Sequence, residues 1–155
     1  MISTRRQLRE KVLQILYAYE LSNEPLDFLF SELIKDIDSE KSISFMRTLT
    51  LKTIEHTEEF DNLIVATSKN WDIHRIAIID KILIRMAICE MLYYPDIPTK
   101  VSINEVIEIA KRFSTDHSDK FINGVLDAIL KKLKTQNKIS KKGRGLIENK
   151  INSNS

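Results

Sequence analysis

The sequence predicts an all-α fold of about seven helices in two packed antiparallel helical subdomains. Three observations lead there. With only three glycines and three prolines in 155 residues, the chain has too little punctuation for a turn-rich β fold. Apolar residues recur at i, i+3, i+4 and i+7 along most of its length. Small polar residues suited to helix N-caps precede several of these runs. An apolar share of 43% against 30% charged residues is that of a globular protein with an ordinary core.

Ser3 or Thr4 can cap the first helix, whose stripe is Leu8, Val12, Ile15, Leu16 and Tyr19. Ser22 to Pro25 breaks the chain, and Pro25 suits the first turn of a second helix carrying Leu26, Leu29, Phe30, Leu33 and Ile34. Ser39 then caps a long third helix, sustained by Ile43, Met46, Ile54, Phe60 and Ile64 to about Lys69. Asn70-Trp71-Asp72 reads as a joint, with Trp71 as its anchor and Asp72 as the next N-cap. From Ile73 to Leu92 the chain is apolar nearly all round, the pattern of a buried central helix. Asp80, Lys81, Arg85 and Glu90 are its polar exceptions.

The stretch from Val101 to Asp127 organises the rest. Ser102 and Glu105 have the spacing of a capping box. Val101, Ile103, Val106, Ile107 and Ala110 follow at helical spacing. After the joint Phe113-Ser114-Thr115, Asp116 is the candidate N-cap of a last helix running from Phe121 to Leu133. Gly124 lies inside that helix, where glycine costs about 1 kcal/mol relative to alanine. Either a neighbouring helix or a ligand comes close to the backbone there. The subdomain limits read as about 1–70 and 71–134, and residues 135–155 as a basic, flexible tail.

Charge is uneven. Residues 131–155 carry eight basic side chains against Glu148 alone, a net +7, which leaves −5 on residues 1–130 of a chain whose total is +2. The start is basic again. Arg5 and Arg9 border the apolar stripe, and Arg6 lies further round the same sector. Cations are disfavoured at a helix N-terminus. A phosphate backbone would compensate them, as would ordinary surface pairing with Glu10. Two basic ends on a mildly acidic body suit a polyanion partner, and the tail suits plain solvation equally.

The chain offers little to an enzyme. Gly124 is the only glycine before residue 143, so no Gly-rich phosphate loop can be built. His56, His74 and His117 are far apart and the single Cys89 has no partner, so neither a metal site nor an internal disulfide is expected. No apolar run approaches the roughly 20 residues of a membrane helix. The N-terminus lacks the apolar segment of a signal peptide. Together with the lone cysteine, this points to a cytoplasmic protein without cofactor.

Val101, Ile103, Asn104, Glu105, Glu108, Ala110 and Lys111, followed by Lys120, Phe121, Asn123, Gly124, Leu126 and Asp127, resemble the C-terminal signature of the NusB family of transcription antitermination factors. The first helix is similar through Arg9, Glu10, Val12, Gln14, Leu16, Tyr17, Ala18 and Glu20, and the middle one through Asn70, Trp71, Arg75, Ile76, Asp80, Arg85, Ala87 and Glu90. The resemblance covers about residues 4–134. It implies an RNA-binding protein, not an enzyme. Such a protein binds boxA-type leader RNA of ribosomal RNA operons together with the ribosomal protein NusE. That complex joins NusA and NusG on RNA polymerase and suppresses premature termination. Carried over by position, Arg5, Arg6, Arg9 and Lys120 would contact phosphates, Phe121 would stack on a base, and Asp80 and Arg85 would face NusE. Gln7 interrupts the family's arginine run, and Thr67 stands about where many members have a tyrosine. A protein-only helical adaptor and the NusB-like domain of an rRNA cytosine methyltransferase are the alternatives.

Overall fold

A computed structural model describes residues 3–67 and 72–147. Within them the chain forms seven α-helices and two short 3-10 turns, and no strand. The expected anchor Trp71 and its neighbour Asn70 lie outside the described residues. The helices fall into two compact units that divide between His56 and Thr57.

The first unit holds α1 (Arg5–Leu21), α2 (Leu26–Leu33) and α3 (Glu40–Glu55). Thr4 caps α1 through a reciprocal box: its hydroxyl accepts from the Gln7 N–H at 3.1 Å, and the Gln7 side chain accepts from the Thr4 N–H at 2.8 Å. Leu8, Val12, Leu13, Ile15 and Leu16 of α1 are buried, with Phe30 of α2 and Phe45, Met46 and Leu49 of α3. Each such side chain contributes about 1.5–3 kcal/mol by leaving water. Tyr19, expected in the stripe, is exposed. Lys11 ties the joint after α2, donating to the Leu33 carbonyl and to Asp36 Oδ1, both at 3.1 Å. That hydrogen bond, followed by the backbone of Asp36 and the Lys11 charge, holds the Asp36 carboxyl below its ordinary pKa.

The long third helix read from the sequence is two helices. Ser39 caps α3 as expected, accepting from the Ser42 N–H. The helix then stops at His56, whose backbone turns to φ −106° and ψ 19°. No glycine or proline marks the break, and the apolar spacing runs straight through it, so the sequence carries no stop signal. The two halves serve different partners: α3 packs on α1, whereas α4 (Thr57–Thr67) packs on α5 and α7.

The second unit comprises α4, a 3-10 turn at Ile73–Arg75, α5 (Ile78–Tyr93), α6 (Thr99–Phe113), α7 (Ser118–Thr135) and a 3-10 turn at Gly143–Leu146. Asp72 caps the first turn, accepting from the His74 N–H at 2.9 Å. Helix α5 is the buried centre, enclosed continuously from Ile82 to Met91. Its interior charge Glu90 is fully enclosed and accepts from the Ser102 hydroxyl at 2.8 Å.

That bond corrects the expected capping box of α6. The helix begins four residues earlier, with Pro98 in the cap position, so Ser102 is already inside it and serves the core. Pro98 fixes φ near −60° and has no N–H to lose, which lets the helix start directly after it. The expected cap at Asp116 is likewise absent. His117 precedes α7 without a side-chain cap, and a turn from the Thr115 carbonyl to the Ser118 N–H leads into it.

The first residues of the tail, up to 147, are described. Helix α7 closes in a Schellman arrangement: Asn137 takes φ 55°, its N–H reaches the Lys134 carbonyl, and the Lys138 N–H reaches the Leu133 carbonyl. The following residues are held. Lys141 Nζ donates to the Glu90 and Tyr94 carbonyls at 3.1 and 2.8 Å, neutralising the C-terminus of α5. The Lys142 N–H donates to the Pro95 carbonyl, and Gly145 is buried against it so closely that a Cβ would overlap the Pro95 oxygen. Low apolar density suggested a free chain here. Backbone and ammonium hydrogen bonds, which hydropathy does not register, anchor it through residue 146. Gly145→Ala should therefore release the tail. Limited proteolysis should cut the variant after Lys138 much faster than the wild type, and equal rates would show that the anchor is negligible.

Candidate nucleic-acid interface

The two parts of the expected RNA face are described separately, one in each unit. In the first, Arg5 and Arg6 are exposed on the opening turn of α1. The Arg5 guanidinium carbon lies 4.0 Å from the centroid of the Phe45 ring, and that of Arg9 lies 5.5 Å from it. A cation over an aromatic face gains about 0.5–2 kcal/mol, depending on how far it is desolvated. This aromatic contact compensates cations at a helix start, the task for which the sequence suggested phosphate. Arg9 is only 2% exposed. Its place beside Phe45 withdraws it from solvent, whereas Arg5 and Arg6 are exposed.

In the second unit, Lys120 is exposed on the first turn of α7 and Phe121 is half-buried beside it. Phe121 lines an open cleft of about 510 Å³ with Asp72, Arg75, Ile76, Ala77, Asp80, Thr115, His117 and Ser118. The cleft is built at the meeting of the 3-10 turn, the N-terminus of α5 and the joint before α7. Asp80 forms its inner wall. Its Oδ1 accepts from the Ser114 hydroxyl at 2.6 Å and its Oδ2 from the Ser118 hydroxyl at 2.9 Å. Ser118 is in turn 2.9 Å from the Ser114 hydroxyl and 2.8 Å from that of Thr115. Asp80 is 5% exposed.

Arg85 is equally committed. Its Nε and Nη2 donate to the two carboxylate oxygens of Asp61 on α4 at 2.7 and 2.8 Å, a bidentate pair. Asp80 and Arg85, expected to face a protein partner, are both held by internal hydrogen bonds in the chain itself. Both are buried, and Asp61 on α4, Ser114 after α6 and Ser118 on α7 supply hydrogen-bond partners from the same unit. The sequence could not show this, since Asp61, Ser114 and Ser118 lie 24 to 38 positions away.

Gly124 resolves the choice left open by the sequence. It is on the exposed side of α7, and a Cβ there would meet nothing within 4 Å. No helix of the described chain needs the missing side chain. Thr67 turns its hydroxyl back to the Leu63 and Ile64 carbonyls of its own helix. Among the described residues no cluster of three or more His, Cys, Asp or Glu side chains is placed to hold a metal, and no helix is long and apolar enough to cross a membrane.

The Arg85–Asp61 pair gives a stability test. Asp61→Ala leaves a guanidinium with 9% side-chain exposure without its carboxylate. Removing one partner of a buried pair costs about 3–5 kcal/mol, and the 26% exposure of Asp61 puts this case at the lower end. Chemical unfolding should show a loss of about 3 kcal/mol, and a loss below about 1 kcal/mol would mean that the pair is solvent-screened.

Comparison with known proteins places the fold and its surfaces in context. Residues 6–131 match the NusB family. Over 150 residues the chain is 46% identical to the transcription antitermination protein NusB of Chloroherpeton thalassium, covering 96% of this chain and 71% of that one. It is 44% identical over 148 residues to the protein of the same name from Salinibacter ruber, covering 94% and 92%. Among solved structures, NusB of T. maritima superposes with a TM-score of 0.78 at 34% identity, over 84% of this chain and 93% of that one. The NusB chain of a complex of antitermination factors NusB and NusE with double-stranded RNA superposes with a TM-score of 0.74 at 24% identity, over 85% and 99%. The chain belongs to the NusB family of transcription antitermination proteins.

Proposed function

We propose that this protein binds boxA-type leader RNA of ribosomal RNA operons together with NusE, in the cytoplasm, and suppresses premature termination as part of an assembly with NusA, NusG and RNA polymerase. The observation that carries the reading is the 46% identity, over nearly the whole chain, to a relative named for antitermination. The geometry supplies what such binding requires. Arg5, Arg6 and Lys120 are exposed cations for phosphates, and Phe121 offers a ring at the edge of a cleft for a base. Asp80 and Arg85 act on a protein partner indirectly, by fixing the helices that form its surface. The solved NusB–NusE–RNA complex is a likeness of fold.

Binding of boxA-type and scrambled single-stranded RNA, with and without NusE, at several salt concentrations tests the reading. Each phosphate contact contributes a slope of about −0.7 in log K against log salt. Arg5→Gln with Arg6→Gln should therefore flatten the slope by about 1.4, and to a similar extent for both RNAs, since phosphates carry no sequence information. Phe121→Ala should cost about 1–3 kcal/mol of affinity and leave the slope nearly unchanged. Thermal melting of that variant separates lost stacking from lost packing. If no RNA binds with salt-dependent affinity while NusE still does, the protein is a protein-only adaptor.

A further inference from the structure

Gly124 poses a question that its own chain does not answer. It occupies the interior of an 18-residue helix, is exposed, and has open space where a Cβ would stand. Alanine would fit there and favour the helix, so the bare backbone is unfavourable for the isolated protein. A glycine in such a position serves something that approaches the backbone from outside.

Its neighbours indicate what that is. On a 100° wheel Lys120, Asn123, Gly124, Asp127, Lys131 and Lys134 share one stripe, and all six are exposed. Among the described residues none of the three lysines forms an ion pair. From Lys120 to Lys134 the stripe runs about 21 Å at 1.5 Å per residue. Its net charge is +2, with cations near both ends and Asn123, the bare backbone of Gly124 and Asp127 between them. Phe121 stands on the shoulder of the stripe one turn before Gly124, facing the cleft.

We propose that this face of α7 is a track for the ribose-phosphate backbone of single-stranded RNA, which passes over Gly124 in contact with the helix backbone. Lys131 and Lys134 hold phosphates beyond the one held by Lys120. Asn123 can donate to a phosphate oxygen. Asp127, the lone anion of the stripe, can accept from a ribose 2′-hydroxyl, the group that marks the strand as RNA. The missing side chain leaves room for the nucleotide that follows the base stacked on Phe121. This track rests on the RNA-binding reading above and extends it from the first turn of α7 along its whole length.

The test uses the full-length protein and single-stranded boxA-type RNA. Gly124→Ala should raise the melting temperature by about 2–4 °C, since helix propensity improves and nothing is displaced. It should weaken RNA binding several-fold, and Gly124→Leu should weaken it by tenfold or more while remaining folded. Lys131→Gln with Lys134→Gln should flatten the salt slope by about 1.4. If the wild type binds RNA and both Gly124 variants keep its affinity within twofold, the track is refuted and the wider reading stands. A wild type that binds no RNA removes both. Weakened association with a protein partner at unchanged RNA affinity would assign the stripe to protein contact and overturn the proposal.

Discussion

The carboxylate of Asp80, enclosed at the start of α5, accepts hydrogen bonds from Ser114 at the end of α6 and Ser118 at the start of α7. Three helices are thereby fixed at one point. A buried carboxylate is tolerated only when its lone pairs are satisfied, and each hydrogen bond to a charged group contributes about 1.5–3 kcal/mol. The cost of leaving it unsatisfied makes the joint between α6 and α7 take one conformation. Lys120 and Phe121 follow directly on this joint, two and three residues after Ser118. The direction in which the ring meets the cleft, and the ammonium meets solvent, is therefore set from the buried carboxylate of Asp80.

The same logic governs the charges elsewhere in the chain. Arg85 is held by Asp61, Glu90 by Ser102, and Lys141 by two carbonyls at the end of α5. Arg5 and Arg9 lie over Phe45. Residues that would read as a charged surface in a list are divided by the fold into interior struts and exposed cations. The second group, exposed at the surface, includes Arg5, Arg6 and Lys120, Lys131 and Lys134 of α7.

Periodicity made the helices legible, because a 3.6-residue apolar repeat is a direct imprint of burial. It placed α5 at the centre, and Ser39 and Asp72 were readable as caps because each precedes a helical start with a short oxygen-bearing side chain. The failures have physical causes. The division at His56 leaves the apolar spacing intact. Ser102 has the spacing of a cap, but Pro98 starts the helix earlier and the hydroxyl turns to Glu90. Asp80 and Arg85 were legible as odd polar residues in an apolar helix, whereas their partners are distant in sequence. The tail was read by hydropathy, which is blind to the hydrogen bonds of Lys141 and Lys142. Gly124 was flagged by helix propensity alone, and only the empty space around it removed internal packing from its two explanations.

The account turns on Asp80 as the group that positions the start of α7, and a double-mutant cycle measures that directly. Asp80→Ala, Ser118→Ala and the double variant would be unfolded in denaturant, with the binding of single-stranded RNA followed in parallel. The account predicts a coupling energy of about 1 kcal/mol or more between the two positions. It also predicts that Asp80→Ala weakens RNA binding by loosening the joint that carries Lys120 and Phe121. A coupling near zero, with RNA affinity unchanged in a folded Asp80→Ala protein, would contradict it.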